Sequence, residues 1–200
     1  MTDAYLLEDI QIPTFPFNQY KCFVVVNGFY LKKEIRKAIE EKLCKNGATV
    51  IFTPGAGIFK DNKLSSQGMK EVTGFEFIKT NKKMPFEPVN LGNKPYVEKQ
   101  YSNHRKIYTS STQLTPELYR QIFRSAGVHI WMDSNDTINT NGVTAFIHVN
   151  NGGEKQVNLP FAASKVIDII SGETVPLSLD KKSFKVNLKR YETRLYKFEK

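Results

Sequence analysis

Residues 21–57, KCFVVVNGFYLKKEIRKAIEEKLCKNGATVIFTPGAG, constrain the fold more than any other stretch. Two short apolar runs, residues 22–26 and 48–52, are rich in β-branched and aromatic side chains and lack in–out alternation. Such runs fit strands buried on both faces of a parallel sheet covered by helices. Between them Ile35, Ala38, Ile39 and Leu43 recur at helical spacing, while Lys32, Lys33, Arg36, Lys37, Glu40 and Glu41 fill the opposite face. Gly47 suits the turn that ends such a helix, because glycine takes positive φ without a Cβ clash. Strand, helix and strand with short connections predict a right-handed βαβ unit.

A chain of 200 residues suits one large domain or two small ones, and 14 Phe, 9 Tyr and 1 Trp supply a core. No apolar run approaches the ~20 residues that span a bilayer. The opening MTDAYLLEDI carries acids where a secretory signal carries lysines, so the chain as it stands reads as soluble and its compartment is unknown. Cys22 and Cys44 are too few for a disulfide framework or a metal cluster and read as small core thiols. The net charge of +9 is spread among interspersed glutamates, which favours a solvated basic surface over a nucleic-acid site.

In chain order, residues 4–10 read as a short strand, and Pro13 and Pro16 break the connection to the next. A doubly wound sheet normally opens with a strand and its crossover helix. The leading βα unit is therefore expected upstream of Met1, and the chain is expected to be a fragment or a trimmed domain. Thr53-Pro54-Gly55-Ala56-Gly57 follows the second strand, where α/β folds place ligands. The stretch GAGIFK puts Lys60 at the third glycine position of a dinucleotide fingerprint, and no Ser or Cys offers a nucleophile elbow. A flexible turn is the plainer reading. Residues 66–73 predict a short helix with Met69 and Val72 inward, ended by Gly74, and residues 75–78 a strand. Residues 80–103 read as long loops or edge structure, and residues 106–108 as a strand. Thr115 is a good N-cap, Pro116 suits the first helical position, and Leu118 and Ile122 continue the stripe to Gly127. Beyond Gly127 only strand-like runs remain: residues 128–132, 144–149, 155–159, 165–170, 184–188 and 193–198. The turn signals DSND, NTNG, NNGG, SGE and LDKK divide them. The domains expected are an α/β unit over residues 1–126 and a small antiparallel β-sandwich over residues 127–200.

The segment YLLEDI, followed by KCFVVVNGFYLKKEIRKAIEEKLCKNGATVIFTPGAGIF, resembles the glutamine-amidotransferase-like (flavodoxin-like) domain of family-42 type glycoside hydrolases, the β-galactosidase class. Lys45-Asn46-Gly47-Ala48-Thr49-Val50 stands where that domain turns from helix to strand. GVTAFIHVNNGGEKQVNLPFAASKVIDIISGETV and LKRYETRLYKF resemble the small β-domain that closes such chains. The resemblance implies a C-terminal portion of a hydrolase whose catalytic glutamates belong to an upstream TIM barrel. A barrel needs ~250 residues and has no room here. It also implies a non-catalytic role in domain packing or oligomerisation, with no cofactor. A glutaminase would need a Cys at residues 55–57, whereas Cys44 belongs to the preceding helix.

Other candidate chemistry has plain alternatives. His104, His129 and His148 are scattered and read as structural. Asp133, Asn135 and Asp136 suggest a calcium loop but lack its later ligands, so an Asx turn is preferred. Glu40 with Glu41, or Glu71 with Glu76, could be offered as a glycosidase carboxylate pair, yet surface acids account for them. Aromatic platforms for a sugar would be Trp131 or the group Tyr96, Tyr101 and Tyr108. The ligand-binding residues offered are therefore Thr53, Gly55, Gly57, Tyr101 and Trp131, with no catalytic residue and no metal ligand. Expected partners are an upstream barrel or a second copy of the chain, with a carbohydrate second; neither nucleic acid nor membrane is expected. A stand-alone carbohydrate-binding protein and an enzyme acting at loop 53–59, with Asp61 near it, are the competing functions.

Overall fold

All five residues of the strand Ala48–Phe52 are buried in the computed structural model, which describes residues 3–111 and 114–200. This strand has a parallel partner on each side, Cys22–Val25 and His104–Thr109, and Tyr96–Gln100 closes the far edge antiparallel to the latter. The sheet belongs to a unit spanning Ala4–Val128; a second unit is built from His129–Lys200. The protein is thus of mixed α/β content, with one parallel/antiparallel sheet and several antiparallel ones.

Alternation along the central strand divides the first unit into layers. Val50 and Phe52, with Val25 and Tyr108, meet Ile35, Ala38, Ile39, Met69 and Val72 on one face. On the other, Ile51 and Ile107 meet Ile122, with Leu118 and Phe123 packed alongside. The helix after the first strand begins as α over Lys33–Ala38 and ends as a π-helical turn over Ile39–Leu43, where the Cys44 N–H donates to the Ile39 carbonyl at 3.1 Å. Ile35, Ala38, Ile39 and Leu43 are all buried, as their spacing predicts. Helix Ser66–Thr73 is capped by Ser65, whose hydroxyl accepts the Gly68 N–H at 3.0 Å, and stops at Gly74 with φ +81°. Thr115 caps Pro116–Ser125 in the same way.

One expectation fails in this unit. Residues 4–10 do not form a strand; Leu7–Gln11 is a 3₁₀ helix whose start is held by the Asp9 carboxylate accepting the Leu6 N–H. The sequence LLEDIQ lacks alternation, and an acid placed three residues on captures the backbone locally. Residues 80–103 are loops and edge structure, as expected, the edge structure being the strands Phe86–Pro88 and Tyr96–Gln100. Tyr96–Gln100 is an edge strand exposed along much of its length, so its polar residues masked it.

In the second unit a five-stranded antiparallel sheet runs in the order Thr174–Val175, Lys165–Asp168, Thr193–Glu199, Thr144–His148, Thr137–Thr140. Gly153–Asn158 and Ser183–Leu188 form a separate antiparallel pair. Ala145, Ile147, Val166 and Phe198 from the former share one core with Val157 and Phe184 from the latter. Residues 128–132 are not the strand expected. They are irregular, tied to the end of Gly153–Asn158 by the Asn158 N–H donating to the Trp131 carbonyl at 2.7 Å and by the His129 ring at the Asn158 carbonyl. The polar strand Thr137–Thr140 lay hidden in what reads as turn sequence.

Close backbone approach fixes the corner after the central strand. Gly57 has φ +74°, and a Cβ there would lie 2.7 Å from both the Gly68 carbonyl oxygen and Val72 Cγ2. Gly47 has nearly the same φ, +75°, with nothing within 4 Å of such a Cβ. G47A should therefore lose only the about 1–2 kcal/mol that a left-handed residue costs, and G57A clearly more, by urea unfolding. Equal losses would show that the corner is not tightly packed.

Candidate functional site

Loop 53–59 lies at the carboxyl end of the sheet and is closed by its own packing. The N–H of Thr53 donates to Val25, Ala56 to Thr53, Gly57 to Gly28, Ile58 to Gly55 and Phe59 to Phe29, each at a carbonyl. The Gly55 N–H donates to the Tyr108 hydroxyl at 3.0 Å. Pro54 has none to offer, so every amide of the loop is engaged and none points at a ligand. The Thr53 hydroxyl is likewise engaged, donating to the Val25 carbonyl and accepting from the Asn27 N–H. A ring of Phe29 presses on Gly55, where a Cβ would meet it at 2.8 Å. Tyr108 is buried and its hydroxyl pKa is raised by that burial, so it is a core residue and not a sugar platform.

Ionisable chemistry gathers instead at the amino end of the same sheet. His104, Lys106 and Tyr108 share one face of their strand, the face that the first helix covers. Lys106 is buried, and its ammonium donates to the exposed Glu40 carboxylate at 2.6 Å. Donor atoms of Glu40, Cys44 and His104 lie within 4.8 Å of one another. Burial pushes the Cys44 thiol up to about 12, against the pull of Lys106. Burial, together with Lys106, holds the His104 pKa below its ordinary value, which keeps the ring neutral at neutral pH. Tyr101 stacks on His104 at 4.4 Å between centroids and 8° between planes, with the Lys99 and Lys106 ammoniums 5.1 and 5.7 Å from its own centroid. Its ring is thereby already engaged by protein groups. Tyr96 instead borders an open groove of about 840 Å³ along the edge strand, with Phe75, Val89, Pro95 and Leu118.

The carboxylate pairs dissolve into separate ion pairs: Glu40 with Lys106, Glu41 with Lys37, Glu71 with Arg36 and Lys60, and Glu76 with Lys70. The sequence reading missed the Glu40–Cys44–His104 grouping because it joins a helix to a strand some 60 positions away. A lysine at position 106, flanked by Ile107 in a strand that is otherwise buried, was the available signal.

The first unit also leaves apolar surface uncovered. Helix Pro116–Ser125 shields the centre of its sheet face, while Val24 on the edge strand and Val26 just after it remain exposed, as do Tyr30, Phe59 and Leu64. Phe59 pairs with Leu64 across a short hairpin and bridges to Tyr30.

In the second unit Trp131 is half-buried, stacked on Phe198 at 5.8 Å and touched edge-on by His129. It belongs to the core margin and is not a free platform. Asp136 is held by long-range partners: its carboxylate accepts the Asn150 N–H at 2.8 Å and pairs with the buried Lys155 ammonium at 2.8 Å. That ammonium fills the place a cation would need.

No protein-family model matches the chain, and no curated protein does. Solved structures do match. Gan42B, a GH42 β-galactosidase, superposes with a TM-score of 0.61 at 15% identity over 93% of this chain. A catalytic mutant of Gan42B, from G. stearothermophilus, gives 0.59 at 17% over 90%. The β-galactosidase from Bacillus circulans sp. alkalophilus gives 0.61 at 14% over 90%. The likeness is one of fold. The chain spans about a third of each of these proteins, 33%, 32% and 33% in the same order. No helix among the described residues is long and apolar enough to cross a membrane.

Burial pushes the Asp136 carboxyl up, but bonds from Lys155, Ser134 and the Asn150 N–H outweigh it, and the net pKa lies below its ordinary value. A carboxyl depressed on folding stabilises fully above its unfolded pKa and loses that contribution as pH falls through its folded value. D136N should therefore cost about 3 kcal/mol at pH 7, since it strands a buried ammonium. It should also flatten the decline of stability below pH ~4, near the unfolded carboxyl's value. Parallel acid profiles for the two proteins would exclude Asp136 as the source.

Proposed function

We propose that the chain is the non-catalytic C-terminal portion of a β-galactosidase-like glycoside hydrolase, made of a flavodoxin-like domain and a small β-sandwich. Its role is to pack against a catalytic barrel or a second subunit. The observation that carries this reading is the exposed apolar side chains of the first unit, Val24 and Val26 at the end of its edge strand and Tyr30, Phe59 and Leu64 at the short hairpin. Exposed apolar patches mark interaction sites more often than singly scattered apolar residues do. The match of 93% and 90% of the chain to 33% of two β-galactosidases supports it, since the rest of each leaves room for a barrel of ~250 residues. The closed loop 53–59 weighs against an enzyme acting there. The stacked rings of Tyr101 and Trp131 weigh against sugar binding by either.

Sedimentation of the purified chain tests the packing role. The chain should self-associate at micromolar concentration, and V26E/L64E should be monomeric with an unchanged melting temperature. A chain that stays monomeric, alone and with a β-galactosidase barrel added, would refute it. Hydrolysis of a nitrophenyl β-galactoside by the chain alone would refute the non-catalytic assignment.

A further inference from the structure

The donors at the amino end of the sheet have no part in that packing role. Glu40 and Cys44 are four residues apart on the helix, where its last turn widens to π geometry. Such turns recur at functional sites. His104 enters from the strand, opposite Ala48. It is only 6% exposed. Its Nδ1 is bound to the Asn103 side-chain oxygen at 2.8 Å, while the buried Nε2 has no hydrogen-bond partner among the described residues. Buried polar atoms are rarely left unpaired, because each one lost costs about 1–3 kcal/mol. The Nδ1 contact is the kind of outer bond that fixes a ligating histidine: it places the proton on Nδ1 and leaves the Nε2 lone pair free. Tyr101, stacked on the ring, restrains its orientation.

We propose that Cys44 Sγ, His104 Nε2 and a Glu40 carboxylate oxygen bind one divalent thiophilic cation of the zinc class. The donor atoms are already within 4.8 Å of one another, so small side-chain rotations complete the site. Thiolate, imidazole and carboxylate together suit Zn²⁺ and leave a fourth tetrahedral position for water. Binding takes the proton from the Cys44 thiol and gives it to solvent. Lys106, the cation that Glu40 holds in the absence of metal, gives up that carboxylate and turns to the face of Tyr101, 5.7 Å from its ammonium. The ammonium thus competes with the metal for one shared ligand.

The test is titration of the full chain, stripped of metal with a chelator, by Zn²⁺ calorimetrically and by Co²⁺ optically. One equivalent should bind, about one proton should be released, and Co²⁺ should show the near-ultraviolet charge-transfer band of a thiolate ligand. C44A and H104Q should each weaken Zn²⁺ binding at least about 10-fold, as even loss of an outer partner can. C22S should bind like the unaltered chain. E40Q removes the partner of the buried Lys106 ammonium, so it is read alongside K106M: E40Q should weaken binding, K106M should tighten it, and E40Q/K106M should bind more weakly than K106M. No binding, a Co²⁺ complex without the thiolate band, or affinity equal in E40Q, C44A and the unaltered chain would overturn the proposal.

Discussion

The first unit depends on burying the strand Ala48–Phe52 between two parallel neighbours. Each of its larger side chains, removed from water on one face or the other, contributes on the order of 1.5–3 kcal/mol. Both faces must then be covered, which calls for the Lys33–Ala38 helix with its π-helical extension on one side and Pro116–Ser125 on the other. The connection leaving the strand must turn at once, because Phe52 and Ala56 are both fully buried. Gly55 and Gly57 answer that need with positive φ and with contacts no side chain could tolerate. A loop so placed satisfies its amides internally. The end of the sheet where α/β folds usually bind ligands is therefore built as structure.

Polar chemistry is displaced to the opposite end. There the strand His104–Thr109 brings a lysine and a histidine beneath the last turn of the helix, and the cost of burying Lys106 is met by Glu40. The same geometry places Cys44 and an unpaired imidazole nitrogen side by side. The proposed packing surface and the proposed cation site at the amino end of the sheet thus rest on separate features of one unit. Either can fail a test without the other.

Elements with a repeating signal were legible. The βαβ segment, the two capped helices and most strands of the second unit carried periodicity and caps that local physics reads directly. Where signal and structure parted, the reason was local as well. Asp9 captured a backbone that hydrophobicity alone would extend, and Thr137–Thr140 formed a strand from residues that favour turns. Trp131, at the core margin, and Met132, buried in the core, read as strand but stand outside any ladder. The candidate site was illegible for a different cause. Glu40, Cys44 and His104 meet only through tertiary register, set by pairing Ala48 with His104, and no spacing in the chain encodes that. The offered residues Thr53, Gly55 and Gly57 were correctly placed at a strand's carboxyl end, but the count of amides already bonded there becomes visible only in three dimensions.

Amide hydrogen exchange read residue by residue tests this account most directly. The account predicts that Gly55, Gly57 and Ile58 exchange as slowly as Ile51 and Phe52, opening only with global unfolding of the unit. Exchange of those three at the rate of an unprotected turn would contradict it and return the carboxyl end of the sheet to candidacy as a ligand cradle.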